Sequence, residues 1–239
     1  MKFLCHVHTV QRLAPGIYQV ILAPHYPLDF KAGQYLKLTL AGKDRYFSIA
    51  SCPSQPGLIE LHIGASKSDE GVLSAIAALH EFKEAELSLE IEGPLGDAWL
   101  RKESTNPILL IAGGTGISYI MSLLRNALHH KLKQNIYLYW GVKGINQLYL
   151  QQELLMLSEQ HPNLHYVFSL EEPCNSMIGR EGLVIDAILN DFSNLHDFDI
   201  YLCGPMNMVK DGKKYLLEKG NVSAKNIYGD AVHYVQPIK

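Results

Sequence analysis

A chain of 239 residues with 47% hydrophobic and 19% charged side chains can bury a large core, leaves no room for an extensive disordered part, and is long enough for one domain or two. Its formal net charge of -3, without any Lys/Arg cluster, excludes a dedicated nucleic-acid binder, which needs a concentrated basic face. No apolar run is long enough to cross a bilayer, and the N-terminus alternates where a signal peptide would be continuously apolar, so a cytoplasmic protein without membrane association is expected.

The first hundred residues read as strands. Segments 3–10, 17–22, 34–40, 45–50, 58–63 and 86–91 are short, rich in Val, Ile, Leu and Tyr, and separated by Gly, Pro, Asp and Ser. Such spacing calls for a closed antiparallel sheet, and the one helical stretch, 73–79, is placed as a cap on one end of that barrel. Residues 101–107 turn polar and the period changes after them, which puts a domain boundary near 102/103. Beyond it, 108–112 is an unbroken apolar run suited to a strand buried on both faces. Gly113-Gly114-Thr115-Gly116 follows, then a helical pattern over 117–128. The alternation repeats with strands at 136–140, 164–170, 200–203 and near 227–228, and helices at 150–157, 183–189 and 206–217. The prediction is an all-β antiparallel barrel over 1–102 followed by an α/β doubly wound parallel sheet over 103–239. Ligands of such sheets lie at the carboxyl ends of the strands, where the winding reverses.

Cys5, Cys52, Cys174 and Cys203 are too scattered to staple a chain of this size and are expected as free thiols. No Cys-x-x-Cys is present. The alternation at Cys5, His6 and His8 turns the histidines to one face and the cysteine to the other, so no metal is expected.

Between a buried strand and a helix, the turn from Gly113 to Gly116 can face its backbone N–H groups toward a pyrophosphate, where any Cβ would hold the ligand away. It is neither the G-x-G-x-x-G fingerprint nor a P-loop, and by itself it reads equally as a tight strand-to-helix turn with Ser118 as a local cap. Context favours the nucleotide: Trp140-Gly141 and Cys203-Gly204-Pro205-Met206 end two further strands at the same sheet edge.

These residues resemble the ferredoxin-NADP reductase superfamily, most closely its bacterial NAD(P)H-flavin reductases, over almost the whole chain. The resemblance is carried by Phe30-Lys31-Ala32-Gly33-Gln34-Tyr35, by Arg45-Tyr46-Phe47-Ser48-Ile49-Ala50-Ser51, which is similar to the R-x-Y/F-S-x-x-S flavin motif, and by Leu61-His62-Ile63-Gly64. Gly71-Val72-Leu73-Ser74, Glu92-Gly93-Pro94-Leu95-Gly96 with Asp97-Ala98-Trp99-Leu100, the Gly113–Gly116 turn and the Cys203-Gly204-Pro205-Met206 segment complete it. It implies that Arg45, Tyr46, Phe47, Ser48, His62, Gly64, Gly71, Val72 and Ser74 contact flavin, with Ser48 near the ring nitrogen that receives the hydride. It also implies that Gly113, Gly114, Thr115, Gly116, Trp140, Lys143, Gly204, Pro205 and Met206 contact NADH or NADPH, with Cys203 beside the nicotinamide. On residue type alone Arg45 is a strand-end charge, Ser48 a sheet hydroxyl, Cys203 a small apolar filler and His62 structural.

The reaction implied is hydride transfer from NAD(P)H to riboflavin, FMN or FAD, after which reduced flavin leaves or passes electrons to oxygen or ferric iron. The alternative is an FAD-bound reductase relaying electrons to a protein partner such as an oxygenase component. Lys143 stands where the family often has an Arg, and Arg180 is the other cation nearby, which leaves NADH and NADPH both open. The G-x-x-S turn ending at Ser74 suits a flavin diphosphate. Against retention, 93–106 is too short for an adenosine-wrapping loop, and the segment from Gly229 toward Lys239 lacks a terminal Tyr. An exchangeable flavin in a monomeric enzyme is therefore expected.

Overall fold

Alternating burial along the first strands closes a six-stranded antiparallel barrel in a computed structural model that describes residues 1–55, 57–64, 70–172 and 178–234. The strands are β1 (Lys2–Ala14), β2 (Ile17–Pro24), β3 (Tyr35–Leu40), β4 (Lys43–Ser48), β5 (Ile59–Gly64) and β6 (Ser88–Leu95), with helix α1 (Glu70–Glu84) before the last. Their order is β4-β3-β6-β1-β2-β5, and an Ile49–Leu61 bridge joins the two ends of the row. A register shift in β1 between Val7 and Thr9 changes the parity of the inward positions, so Cys5, Val7 and Val10 all reach the core. Leu22, Leu36, Leu38, Leu61, Ile63 and Ile91 fill that core, and α1 adds Ala75, Ile76 and Leu79. The helix is twice the length expected from 73–79, because its flanking turns mix polar, exposed residues with only Val72 and Phe82 packed against the core. This first compact unit comprises Met1–Leu100 together with Met121–His129.

The second unit, Arg101–Ile120 with His130–Lys239, holds a six-stranded parallel sheet. Its elements are β7 (Ile108–Gly113), α2 (Ile117–His129, whose last turns are counted with the first unit), β8 (Ile136–Val142), α3 (Gln151–Gln160) and β9 (Leu164–Leu170). They continue with β10 (Arg180–Glu181), α4 (Val184–Asp191), β11 (Asp199–Cys203), α5 (Met206–Lys219), β12 (Ile227–Tyr228) and α6 (Asp230–Tyr234). Strand order β10-β9-β8-β7-β11-β12 places the reversal of winding between β7 and β11. All six residues of β7 are buried, as a continuous apolar run in a central parallel strand requires. Two elements escaped the periodicity: β10 has two polar residues, and α6 only five.

Cys5, Cys52 and Cys203 are unbridged, as expected, and burial pushes the Cys5 thiol up to about 12; Cys174 lies outside the described residues. Among the described residues there is no cluster of three metal-ligating side chains, and no helix is long and apolar enough to cross a membrane.

Candidate functional site

In the first unit, β4 presents its residues alternately. Phe47 packs against the barrel core and Tyr46 is 61% exposed, so of the two aromatic residues expected at the flavin only Tyr46 offers an open ring. Arg45 and Ser48 are half-buried. The Arg45 guanidinium reaches from β4 to the first turn of α1, where Nη2 donates to the Gly71 carbonyl oxygen at 2.5 Å. Its Nε is buried with no hydrogen-bond partner among the described residues. Leaving a buried guanidinium N–H unmatched is costly, and an anion at the start of α1 would match it while also meeting the positive end of the helix. Residues 45 and 71, far apart in sequence, are thus brought together at the first turn of α1, with the half-buried Val72 and exposed Ser74 on the same helical turns.

His62 makes contacts of its own. Its side chain is fully buried, and Nε2 lies 2.9 Å from Glu60 Oε1. Glu60 is also held by Gln19 Nε2 and by Arg125 Nη1, the latter at 2.6 Å, within the first unit. Burial alone would raise the Glu60 carboxyl, but the His62 hydrogen bond and the Arg125 charge outweigh it and bring the group to about 2. A histidine bound into this network has a framework role beside the flavin contact that the resemblance implies. Gly64 ends β5 as an exposed residue opposite Ile17.

In the second unit the glycine turns at the ends of β7 and β11 touch backbone to backbone. A Cβ on Gly116 would collide with Cys203 O and come within 2.8 Å of Gly204 N, and one on Gly204 would lie 3.1 Å from Gly113 Cα. Met208, on the first turn of α5, lies where a Cβ on Gly113 would go and would have to move for one. Gly116 is therefore demanded by backbone packing, while Gly113 and Gly204 are tightly packed chiefly against the Met208 side chain, so the expected task of Gly204, making room for the nicotinamide, has a second contribution. Gly114 differs: it has φ +52 and nothing within 4 Å of the Cβ position, so it is the part of the turn open to a ligand. Thr115 follows it in a 3-10 turn that leads directly into α2.

Trp140, expected at the cofactor, is instead fully buried and donates Nε1–H to Gly114 O at 2.9 Å, with Tyr149 and Phe168 perpendicular to its ring. It holds the turn from beneath. The Ser118 hydroxyl is buried without a hydrogen-bond partner among the described residues, so it is not the local cap its position suggested; together with the open Gly114 it leaves polar capacity at the start of α2 that fits a diphosphate. Cys203 is half-buried at the end of β11, Pro205 and Met206 are exposed where α5 begins, and Lys143 is exposed just after β8. Sequence reading missed Met208 as a wedge against both glycine turns; its signal was a Met within one helical turn of Gly204.

An antiparallel barrel whose Arg45 meets the start of α1 and a parallel sheet with glycine-lined strand ends together define a flavin- and nicotinamide-dependent oxidoreductase of the ferredoxin-NADP reductase-like architecture. Residues 110–214 match the family model described as an oxidoreductase NAD-binding domain. The chain is 45% identical to a probable flavin reductase of Aliivibrio fischeri, over 92% of this chain and 93% of that one. It is 38% identical to an NAD(P)H-flavin reductase of Vibrio harveyi, over 98% of this chain and all of that one. Among solved structures, a cytochrome P450 reductase from Amycolatopsis superposes with a TM-score of 0.85 at 28% identity, covering 97% of this chain and 70% of that one. The chain belongs to the bacterial NAD(P)H-flavin reductases of the ferredoxin-NADP reductase-like superfamily.

Proposed function

We propose that the protein oxidises NADH or NADPH and reduces a flavin, taking riboflavin, FMN or FAD as an exchangeable substrate. The observation that supports this reading is the presence in one chain of a buried, unmatched Arg45 N–H beside the first turn of α1 and of an open Gly114 turn on the parallel sheet. When bound, the nicotinamide supplies a hydride that the flavin accepts, so the protein need not supply a strong acid or base.

Its own residues bind and orient. Backbone N–H groups from Gly113 to Gly116 hold the dinucleotide diphosphate, and Arg45 with the first turn of α1 holds the phosphate side of the flavin. The Ser48 hydroxyl donates to the flavin ring edge, and Tyr46 covers the ring or ribityl chain. Cys203, Pro205 and Met206 pack against the nicotinamide, with the thiol acting as a polarisable contact and not as a nucleophile. The protein works as a cytoplasmic monomer, with residues 1–102 as the flavin domain and 103–239 as the nucleotide domain.

Oxidation of NADH and NADPH is to be followed with and without added riboflavin or FMN. Turnover that rises with free flavin and saturates supports the reading. Turnover independent of added flavin but dependent on a protein acceptor supports the alternative, an electron relay to a protein partner.

A further inference from the structure

We infer that the carboxylates beyond β9 make this enzyme select NADH over NADPH; this rests on the dinucleotide placement proposed above. With the diphosphate on the Gly113–Gly116 turn and the nicotinamide at Cys203, the other half of an extended dinucleotide has only one direction left along the sheet edge. It runs over the ends of β8 and β9, on the opposite side of β7 from β11. The two cofactors differ there by a single group, a ribose 2′-hydroxyl in one and a 2′-phosphate in the other.

The chemistry of that edge is acidic. Glu171 and Glu172 follow β9, and both are exposed. Their backbone N–H groups donate to Val142 O at 3.0 Å and Lys143 O at 2.8 Å, so the glutamates are held against the end of β8 as an extension of the sheet. The Glu172 carboxylate folds over the following loop, where Oε2 lies 3.0 Å from the position of a Cβ on Gly144. Glu181, exposed, pairs with Leu170 in the neighbouring edge strand.

Of the two cations expected near the ribose, Arg180 is engaged elsewhere. Its Nη1 bonds Asp191 Oδ1 at 2.7 Å, and Asp191 also accepts from the Tyr139 hydroxyl at 2.5 Å. Asp191 is the last residue of α4 and Tyr139 lies in the middle of β8, so this pair draws the guanidinium along the sheet face and away from the strand ends. The Arg180 hydrogen bond and charge help hold the Asp191 carboxyl low against the opposing effect of burial, which keeps the pair ionised and mutually satisfied. With Arg180 neutralised by Asp191, Lys143 is outnumbered by Glu171, Glu172 and Glu181 among the charges near these strand ends. Carboxylates accept hydrogen bonds from ribose hydroxyls, whereas a 2′-phosphate dianion beside them meets like charge with no planar bidentate partner to offset it.

The test is the ratio of kcat/KM for NADH to that for NADPH, with saturating FMN, in the wild type and in Glu171→Gln, Glu172→Gln and Glu218→Gln. Glu218 is an exposed carboxylate on α5 and controls for total charge. We expect a wild-type ratio of about tenfold or more at low ionic strength, falling about fivefold in each of the first two variants and not in the third, as one unit charge a few Å away would give. The ratio should also shrink as salt is added, because exposed charges are screened within about 8 Å at physiological ionic strength. Equal or better use of NADPH by the wild type, or a ratio indifferent to both strand-end substitutions, overturns the inference. Flavin-dependent oxidation of neither cofactor would instead overturn the underlying functional reading.

Discussion

Gly114 and Ser48 are the residues on which the proposed chemistry can be tested most directly. Gly114 has φ +52 and open space at its Cβ, so a side chain there meets no protein atom but costs about 1–2 kcal/mol in backbone conformation. Gly114→Val is therefore expected to fold with a somewhat lowered Tm while raising the nicotinamide-cofactor KM on the order of tenfold, as an obstructed diphosphate contact would. Thermal melting and steady-state kinetics check both parts; an unchanged KM in the folded variant would remove the turn from the binding site. Ser48 ends β4 opposite Tyr35. Ser48→Ala should slow flavin reduction in stopped flow by about 10²-fold, more than it weakens flavin binding, as loss of one positioned donor does. At this scale motif residues were legible by position but not by task. Arg45, Ser48 and Gly114 stand where a ligand can meet them, whereas Trp140 and His62, drawn from the same strings of sequence, face inward and hold the framework. Spacing along a strand does not reveal which hydrogen bonds a side chain has already made.

Strands and helices place these residues through a few contacts between elements. The Trp140 indole in β8 holds the carbonyl of Gly114 beyond β7, and Trp140→Phe keeps most of the buried ring while deleting that donor. The expected result is a loss of about 1–3 kcal/mol in stability from the unmatched carbonyl, with a rise in nicotinamide-cofactor KM larger than any change in kcat; denaturant titration and kinetics read the two effects. A second junction joins β2, β5 and the last turns of α2 through Gln19, Glu60, His62 and Arg125. The Glu60 carboxyl, at about 2 when folded, lies below its ordinary 4.5, so the folded state favours its ionised form. That stabilisation is fully present above about pH 5 and is lost as pH falls through 4.5 toward 2. It amounts to on the order of 3 kcal/mol, and Glu60→Gln should flatten the acid limb of a stability-against-pH curve. An equally steep acid limb in the variant would show that other carboxylates govern it. None of these partners could be paired from sequence, because Glu60 and Arg125 are neighbours only after the chain has folded.

For the whole molecule the decisive measurement is whether flavin stays bound. Contacts are proposed to the ring, the ribityl chain and one phosphate corner, with none to an adenosine half, and a binding free energy of roughly -8 kcal/mol corresponds to micromolar affinity. Gel filtration at micromolar protein is therefore expected to leave flavin well below stoichiometric, and free FMN to restore turnover. Stoichiometric FAD surviving dialysis would favour the electron-relay reading. The same experiment can report the oligomeric state, for which a monomer is expected.

The amino-acid sequence by itself determined the two architectures, since period-two burial in the first hundred residues and continuous apolar runs alternating with helical patterns after them have no other economical fold. Strand β9 was read to the residue and the last strand near its place, because both are bounded by turn residues or polar breaks; α1 was read short because only its buried face carries a periodic signal. Local order along the chain was also enough to find the glycine turns. Tertiary structure alone decided which glycines are tightly packed and which has open space beside it, and that Arg45 meets the start of α1. It also showed that Arg180 is occupied by Asp191 while Glu171 and Glu172 remain at the sheet edge. The reason is physical: conformational preference is a property of neighbours in sequence, but the availability of a charge or an N–H to a ligand depends on what distant residues have left unpaired.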